Sequence, residues 1–514
     1  MDINKLSLKE KIGQMLMFAF RGTTYNEQLD TFINELNLGG VIAFARNIKN
    51  VDQISTLNKT IQSKTKLPMF IGLDQEGGPV LRVMSGITPL PGAMALASSD
   101  SSKIFEITKA VGEDLKHLGF NINFAPVGDI NNNPKNPVIN SRSYSDEAEV
   151  VAKHSQAAFS GFQAGGILPT MKHFPGHGNT SVDSHIGLPV VESSLKDIMN
   201  CEIIPFQNAI NNGIDGIMMS HILYKELDDV YPSSLSKKII NDFLIEKLGF
   251  EGLIVTDSLT MGAIYNKFTI EEIVYNGINA GNDILIFCGR ADISEQRFIY
   301  NTFLNLVENG RIGIDRINRS VEKILNYKKK YATNKIDLGK IGLRKNNEIA
   351  SYLQDRSITL VRDNQQLPLT PEDIVLLLFP KINVFSLVDN ENQEYETLNK
   401  FLGVKEIIYD KEKLNFSLIE DIQENYDKII LATYNVTDND YQVELFNLLN
   451  KDKVTVVSLR SPYDVLKLEG CKSYICIYEA TREALFSLSK VLKGENEAKG
   501  KLSIKLWGEA NESN

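Results

Sequence analysis

Cysteine and histidine are both scarce in this chain. The four cysteines among 514 residues, Cys201, Cys288, Cys471 and Cys476, form no CxxC pair. Neither a disulfide framework nor a zinc ribbon is indicated, and a reducing compartment fits. Long apolar runs are absent as well, since no stretch approaches the about 20 residues of a membrane span. The opening MDINKLSLKEKIGQ mixes acids and bases, whereas a secretory leader has a basic head and an apolar core of about 7–15 residues. A cytoplasmic location is the expectation. An excess of positive charge is also missing: 55 lysines and arginines face 65 acids, a net charge of −10. That balance argues against nucleic acid or another polyanion as partner. The clearest basic run, Lys328 to Lys330, ends an expected helix, where cations complement the helix dipole. No internal repeat or low-complexity segment is present.

With 43% hydrophobic and 23% charged residues, the chain has the makeup of a globular protein, and its length exceeds one ordinary core, so two domains are expected. The first two thirds alternate short apolar runs with amphipathic segments. Strands are expected at 14–20, 40–44, 69–74, 122–126, 168–173, 216–220, 252–257 and 283–287. Helices are expected between them at 26–36, 51–63, 102–118, 147–163, 195–211 and 237–247, and after them at 294–308 and 315–331. Eight such units suit a TIM (β/α)8-type barrel over 1–332; a doubly wound sheet would give the same local signal. A Lys- and Asn-rich stretch at 333–348 reads as a linker. A smaller three-layer α/β sandwich is expected over 349–514, with strands at 374–379, 384–387, 406–409, 428–433, 454–458 and 474–478. Its helices are expected at 418–425, 441–449 and 482–492.

In parallel barrels the reactive groups stand where strands end. The third expected strand ends in Asp74, the fifth in Lys172-His173 and the seventh in Asp257, and the sixth runs into His221. Unpaired charges at so many strand ends would be costly as core, so together they indicate a site. The densest segment is KHFPGHGNTSVDSH at 172–185, which holds three of the chain's six histidines. Pro175, Gly176 and Gly178 make it an irregular loop that presents its polar side chains. Asp183 and His185 are two apart and can face each other, the carboxylate holding the imidazole tautomer, an arrangement suited to acid–base work. A metal site built from His173, His177, Asp183 and His185 is the competing chemistry, although the spacing matches no standard zinc signature. Asp257 follows a buried apolar run and has three readings: nucleophile, metal ligand or helix cap. With a proton donor at His185, the nucleophile reading suits double-displacement glycoside cleavage.

These motifs resemble glycoside hydrolase family 3, in its bacterial β-N-acetylglucosaminidase branch. The resemblance rests on GGVIAFARN at 39–47, GLDQEGGPVLR at 72–82, NFAPVGDI at 123–130, NSRSYSD at 140–146, KHFPGHG followed by DSH, and IVTDSLTMGA at 254–263. It extends more loosely into the second domain, at PLTPED near 368 and at 481–502. The resemblance implies that Asp257 is the nucleophile of a covalent glycosyl-enzyme, and that His185, partnered by Asp183, is first acid and then base. It further implies that Asp74, Arg82, Arg142, Lys172 and His173 hold the sugar hydroxyls and N-acetyl group, with Arg46 and His221 as weaker matches. Glucosidase branches take their acid from the second domain, so a dyad on a barrel loop points to the N-acetylglucosaminidase branch. Asn179 stands where that branch often has Asp. The implied partner is a carbohydrate with a terminal GlcNAc, such as a peptidoglycan-derived disaccharide or muropeptide in recycling. No cofactor and no metal are expected, and the chain is expected to be a monomer or homodimer. A histidine donor is neutral once it has given its proton, so phosphate approaching the glycosyl-enzyme meets less repulsion than from a carboxylate, and phosphorolysis stands beside hydrolysis.

Overall fold

The computed structural model describes residues 3–289, 292–332, 335–382, 396–412, 419, 423–437 and 440–506. In chain order the strands of the first domain are β1 (Leu16–Ala19), β2 (Gly40–Ile42), β3 (Phe70–Leu73), β4 (Ile122–Asn123), β5 (Leu168–Pro169), β6 (Met171–Phe174), β7 (Val190–Val191), β8 (Gly216–Met219), β9 (Leu223–Tyr224), β10 (Leu253–Ser258) and β11 (Ile284–Phe287). Nine of them form one parallel sheet in the order β5-β4-β3-β2-β1-β11-β10-β8-β6. The two ends of that order, β5 and β6, are consecutive pieces of one chain segment interrupted only at Thr170. Thr170 N–H donates to the Asn123 and Ala125 carbonyls, and Val127 bridges to Lys172. The ring therefore closes as an eight-position barrel, which rules out the doubly wound alternative. Strands such as β1, Leu-Met-Phe-Ala, are buried along their whole length, as expected where helices cover one face and the barrel interior fills the other. β7 and β9 pair with each other apart from the barrel.

Most expected helices are present within a few residues. The one expected at 195–211 is two, Leu195–Asn200 and Ile203–Asn211. Pro205 explains the break, because its ring would collide with the carbonyl four residues back in a continuous helix.

The second domain holds β12 (Thr359–Arg362), β13 (Val375–Pro380), β14 (Lys405–Tyr409), β15 (Lys428–Thr433), β16 (Val454–Ser458) and β17 (Ser473–Cys476). Their order is β12-β17-β16-β15-β13-β14, parallel except for β12 on the edge. Residues alternate between two buried faces. Leu376, Leu378, Ile429 and Val456 share one core with Met94 and Ala95 of the barrel domain. Leu377, Phe379, Ile430 and Val457 pack under Leu485 and Leu488 of helix Arg482–Leu492. The strand expected at 384–387, and half of the helix expected at 418–425, lie outside the described residues; the end of that helix is a short 3-10 turn, Gln423–Asn425.

β12 went unforeseen. Helix Arg344–Ser357 begins inside the stretch read as a linker. Its buried positions are Asn346, Ala350, Leu353, Gln354 and Ser357, a helical stripe in which three of five residues are polar, so hydrophobic periodicity misses it.

Candidate active site

A cavity of about 770 Å³ opens at the carboxyl ends of the barrel strands. Asp74, immediately after β3, Lys172 and His173 in β6, and Asp257 in β10 all line it. Arg46, Arg82, Arg142 and His185 reach it from loops.

One wall is an ion-pair network. Lys172 Nζ lies 2.8 Å from Asp74 Oδ1 and 2.6 Å from Glu76 Oε1. Arg142 grips both Glu76 oxygens, with Nε donating at 2.9 Å and Nη2 at 2.8 Å. Arg82 Nη2 stands 3.4 Å from Asp74 Oδ2. Burial works to raise the Glu76 pKa, but the Arg142 and Lys172 cations overcome it and hold the carboxyl far below the usual range. For Lys172, burial works to lower the pKa, and the Asp74 and Glu76 carboxylates reverse the sign. The bidentate arginine geometry adds direction to the charge pairing, so this wall presents its donors at fixed positions.

Three histidines occupy distinct environments. His173 Nδ1 donates to Asp129 Oδ2 at 2.7 Å, and Asp129 Oδ1 also accepts the amides of His173 and His177. Burial works to raise the Asp129 pKa, but His173 and His177 bring it below its ordinary value, so it stays an acceptor that orients His173 with its other nitrogen toward the cavity. His177 is enclosed by Thr180 Oγ1 at 2.9 Å and Ser184 Oγ at 3.0 Å. Burial lowers its pKa to about 4, so at neutral pH it is an uncharged brace for the loop. Asn136 pins the same loop by donating to the His177 and Gly178 carbonyls. A Cβ at Gly178 would collide with the Ile130 carbonyl, so this close approach requires glycine.

The dyad forms as the spacing predicts. Asp183 Oδ1 accepts from both His185 Nδ1 at 2.7 Å and His185 N–H at 2.8 Å. Burial works to raise the Asp183 pKa, and its bonds to His185 lower it overall. The loop is tied to the segment after β10, where Ala263 N–H donates to Ser184 O and Gly262 N–H to His185 O. Asp257 accepts from the Ser258 amide at 2.6 Å. Burial would raise its pKa, but the imidazoles of His173, His221 and His185, with that amide, bring it to about 2. The side chain is an ionised carboxylate on the cavity wall, suited to attack on an electrophilic carbon.

The profile described as the glycosyl hydrolase family 3 N-terminal domain matches residues 7–327. The chain belongs to glycoside hydrolase family 3. The Beta-hexosaminidase A of Pseudoalteromonas piscicida is 32% identical to it over 422 residues, 73% of this chain and 71% of that one. A family 3 β-N-acetylglucosaminidase from Paenibacillus sp. str. FPU-7 superposes with a TM-score of 0.90 at 32% identity, covering 98% of this chain and 99% of that one. A β-glucoside phosphorylase shares the fold, with a TM-score of 0.84 at 23% identity and coverage of 98% and 95%.

In this family 3 glycoside hydrolase, nine of the ten expected site residues are gathered at one place: eight line the cavity, and Asp183 stands behind His185. His221 is the exception. Its Nδ1 meets Ser234 Oγ and its Nε2 donates to Ser258 O, both at 2.8 Å, and it does not line the cavity. With both nitrogens occupied it has none to offer a sugar, so it braces the strand that carries Asp257. Burial also lowers its pKa. The competing metal reading meets the same obstacle at His177, and among the described residues no group of three or more His, Cys, Asp or Glu is arranged to hold a metal ion. Sequence reasoning missed Glu76 and Asp129. Both sit inside the family motifs: Asp129 was an acid among small and apolar residues, Val127-Gly128-Asp129-Ile130, and Glu76 a second acid two residues after Asp74.

Proposed function

We propose that the protein is a retaining, exo-acting β-N-acetylglucosaminidase. The observation that carries this reading is the pairing of an ionised Asp257 on the cavity wall with a His185–Asp183 dyad on the adjoining loop. Asp257 attacks the anomeric carbon while His185 protonates the departing oxygen, leaving a glycosyl-enzyme. Neutral His185 then takes a proton from water as it attacks, and Asp183 holds the ring throughout. Lys172, Arg142, Arg82 and Asp74 bind the sugar hydroxyls and N-acetyl group, and Arg46 stands at the exposed rim. Two relatives whose names are Beta-hexosaminidase A and β-N-acetylglucosaminidase support this choice of sugar. The substrate is a soluble fragment ending in GlcNAc, such as a peptidoglycan-derived disaccharide or muropeptide, met in the cytoplasm during recycling. Among the described residues no helix is long and apolar enough to cross a membrane.

The test is cleavage of an aryl N-acetylglucosaminide and a panel of GlcNAc disaccharides, with products identified by mass spectrometry. Wild type releases GlcNAc, and Asp257→Ala releases none; full activity in that variant overturns the assignment. Sugar 1-phosphate appearing in phosphate buffer would replace hydrolysis by phosphorolysis with the same residues in the same roles.

A further inference from the structure

The Glu76–Arg142 pair is held from outside the barrel. Arg142 ends the turn Asn140–Arg142, whose first residue has φ 43°, a left-handed conformation that asparagine tolerates better than most side chains. Two contacts secure it: Asn140 N–H donates to Asn131 Oδ1 at 3.1 Å, and Asn140 Nδ2 donates to Ser461 Oγ of the second domain at 3.0 Å. Asn131 is itself bonded to Tyr463 OH at 3.3 Å. The Ser461 turn is fixed in its own domain by Tyr474 OH, which donates to Pro462 O at 3.1 Å.

The other flank is held the same way. Glu479, just past β17, accepts the Gly92 amide at 2.6 Å and Thr481 Oγ1 at 3.1 Å. Gly78, two residues beyond Glu76, adopts φ 57°, and a Cβ there would strike the Glu479 carboxylate. Gly78 N–H donates to Leu90 O, which joins the Glu76 loop to the segment Glu479 grips. Second-domain side chains thus press on the loops that carry both members of one buried ion pair.

We propose that the second domain takes part in sugar recognition by clamping these loops: Ser461, through Asn140, and Glu479, through Gly92 and the Gly78 backbone, are positioning residues for Arg142 and Glu76. This rests on the reading of the cavity as a glycosidase sugar site. Neither residue lines the cavity. Arg142 does line it, and Glu76 holds both Arg142 and the cavity-lining Lys172, so their effect is exerted through the spacing of those cations, and small displacements of such groups are felt strongly in binding and rate.

The experiment uses full-length Ser461→Ala, Asn140→Ala, the double variant, Glu479→Ala and Glu479→Gln. Steady-state kinetics on an aryl N-acetylglucosaminide are combined with backbone hydrogen exchange at 76–78 and 139–142. Ser461→Ala is expected to raise KM about tenfold, the scale of one lost hydrogen bond, with kcat within about threefold. The double variant should be no worse than Asn140→Ala alone, because both act through one turn. Glu479→Gln keeps an acceptor for Gly92 and should hold KM within about threefold, where Glu479→Ala does not. Exchange should accelerate at 139–142 in Ser461→Ala even if the chain prefers another sugar, which separates this proposal from the functional one. An inactive wild type with faster exchange in the variant indicts the choice of sugar and supports the clamp. Unchanged exchange, KM that stays at the wild-type value, or losses that simply add in the double variant overturn it.

Discussion

The barrel sheet and the second-domain sheet both carry buried carboxylates at or beyond the ends of their parallel strands, and the two sets are held in opposite states. In the barrel, Glu76, Asp129 and Asp257 stand beside arginine, lysine or histidine, and each is held below its ordinary pKa against the pull of burial. In the second domain, burial dominates and pushes Asp464 and Glu479 up to about 7. Asp464 accepts from Thr433 Oγ1 at 2.8 Å and Val436 N–H at 2.9 Å, and Glu479 from the Gly92 amide and Thr481. Neutral donors satisfy such a carboxyl without ionising it as firmly as a cation does. The same residue types near strand ends are therefore held as anions in one sheet and pushed toward the neutral acid in the other. What differs is the charge that the neighbouring loops supply.

Exchanging acid for amide in each sheet tests that contrast most severely. Asp257→Asn should cut kcat by about 10⁴-fold or more, as loss of a nucleophile does, whereas Asp464→Asn should leave kcat within about threefold. Comparable losses in both would erase the distinction. His185→Ala should cost about 10²–10⁴-fold on substrates with poor leaving groups, the range for general acid–base catalysis, and far less on activated aryl glycosides. Glu76→Gln removes the carboxylate between two buried cations. It should destabilise the fold by about 3–5 kcal/mol in denaturant unfolding and raise KM, since breaking a buried pair strands its partners.

The pH dependence separates the sheets with a smaller signal. Asp464, raised in the folded state, contributes stability fully present below about pH 4, the unfolded value, and lost as pH rises through about 7. Asp257, lowered to about 2, contributes stability present above about pH 4 and lost as pH falls through about 2. Urea unfolding at pH 5 and pH 8 should therefore show Asp464→Asn gaining on wild type at the higher pH, and a parallel trend in the two proteins would contradict the assignment. The least change is expected from dialysis against a strong chelator, which should leave the rate of glycoside cleavage intact. A loss restored by a divalent metal would revive the metal reading.

The eight barrel strands were legible because buried parallel strands are continuous apolar runs, and the dyad was legible because its partners are two residues apart. Helix Arg344–Ser357 was hidden by a buried face with more polar than apolar residues, and β12 by its place on an edge. His221 carried the right residue type at a strand end, yet its role depends on Ser234 and Ser258, which approach only once the barrel closes.

The amino-acid sequence by itself determined the order of β/α units, Asp257 at the end of a strand, and the loop holding Asp183 and His185, because each depends on contacts between near neighbours in the chain. Tertiary structure decided which acids are ionised. Glu76 meets Arg142 across 66 residues, and Asp74 meets Lys172 across 98. It also brought Ser461 to Asn140 across 321 residues and Glu479 to Gly92 across 387. Charge and hydrogen bonding at such separations depend on distance in space, and only barrel closure and domain docking set that distance.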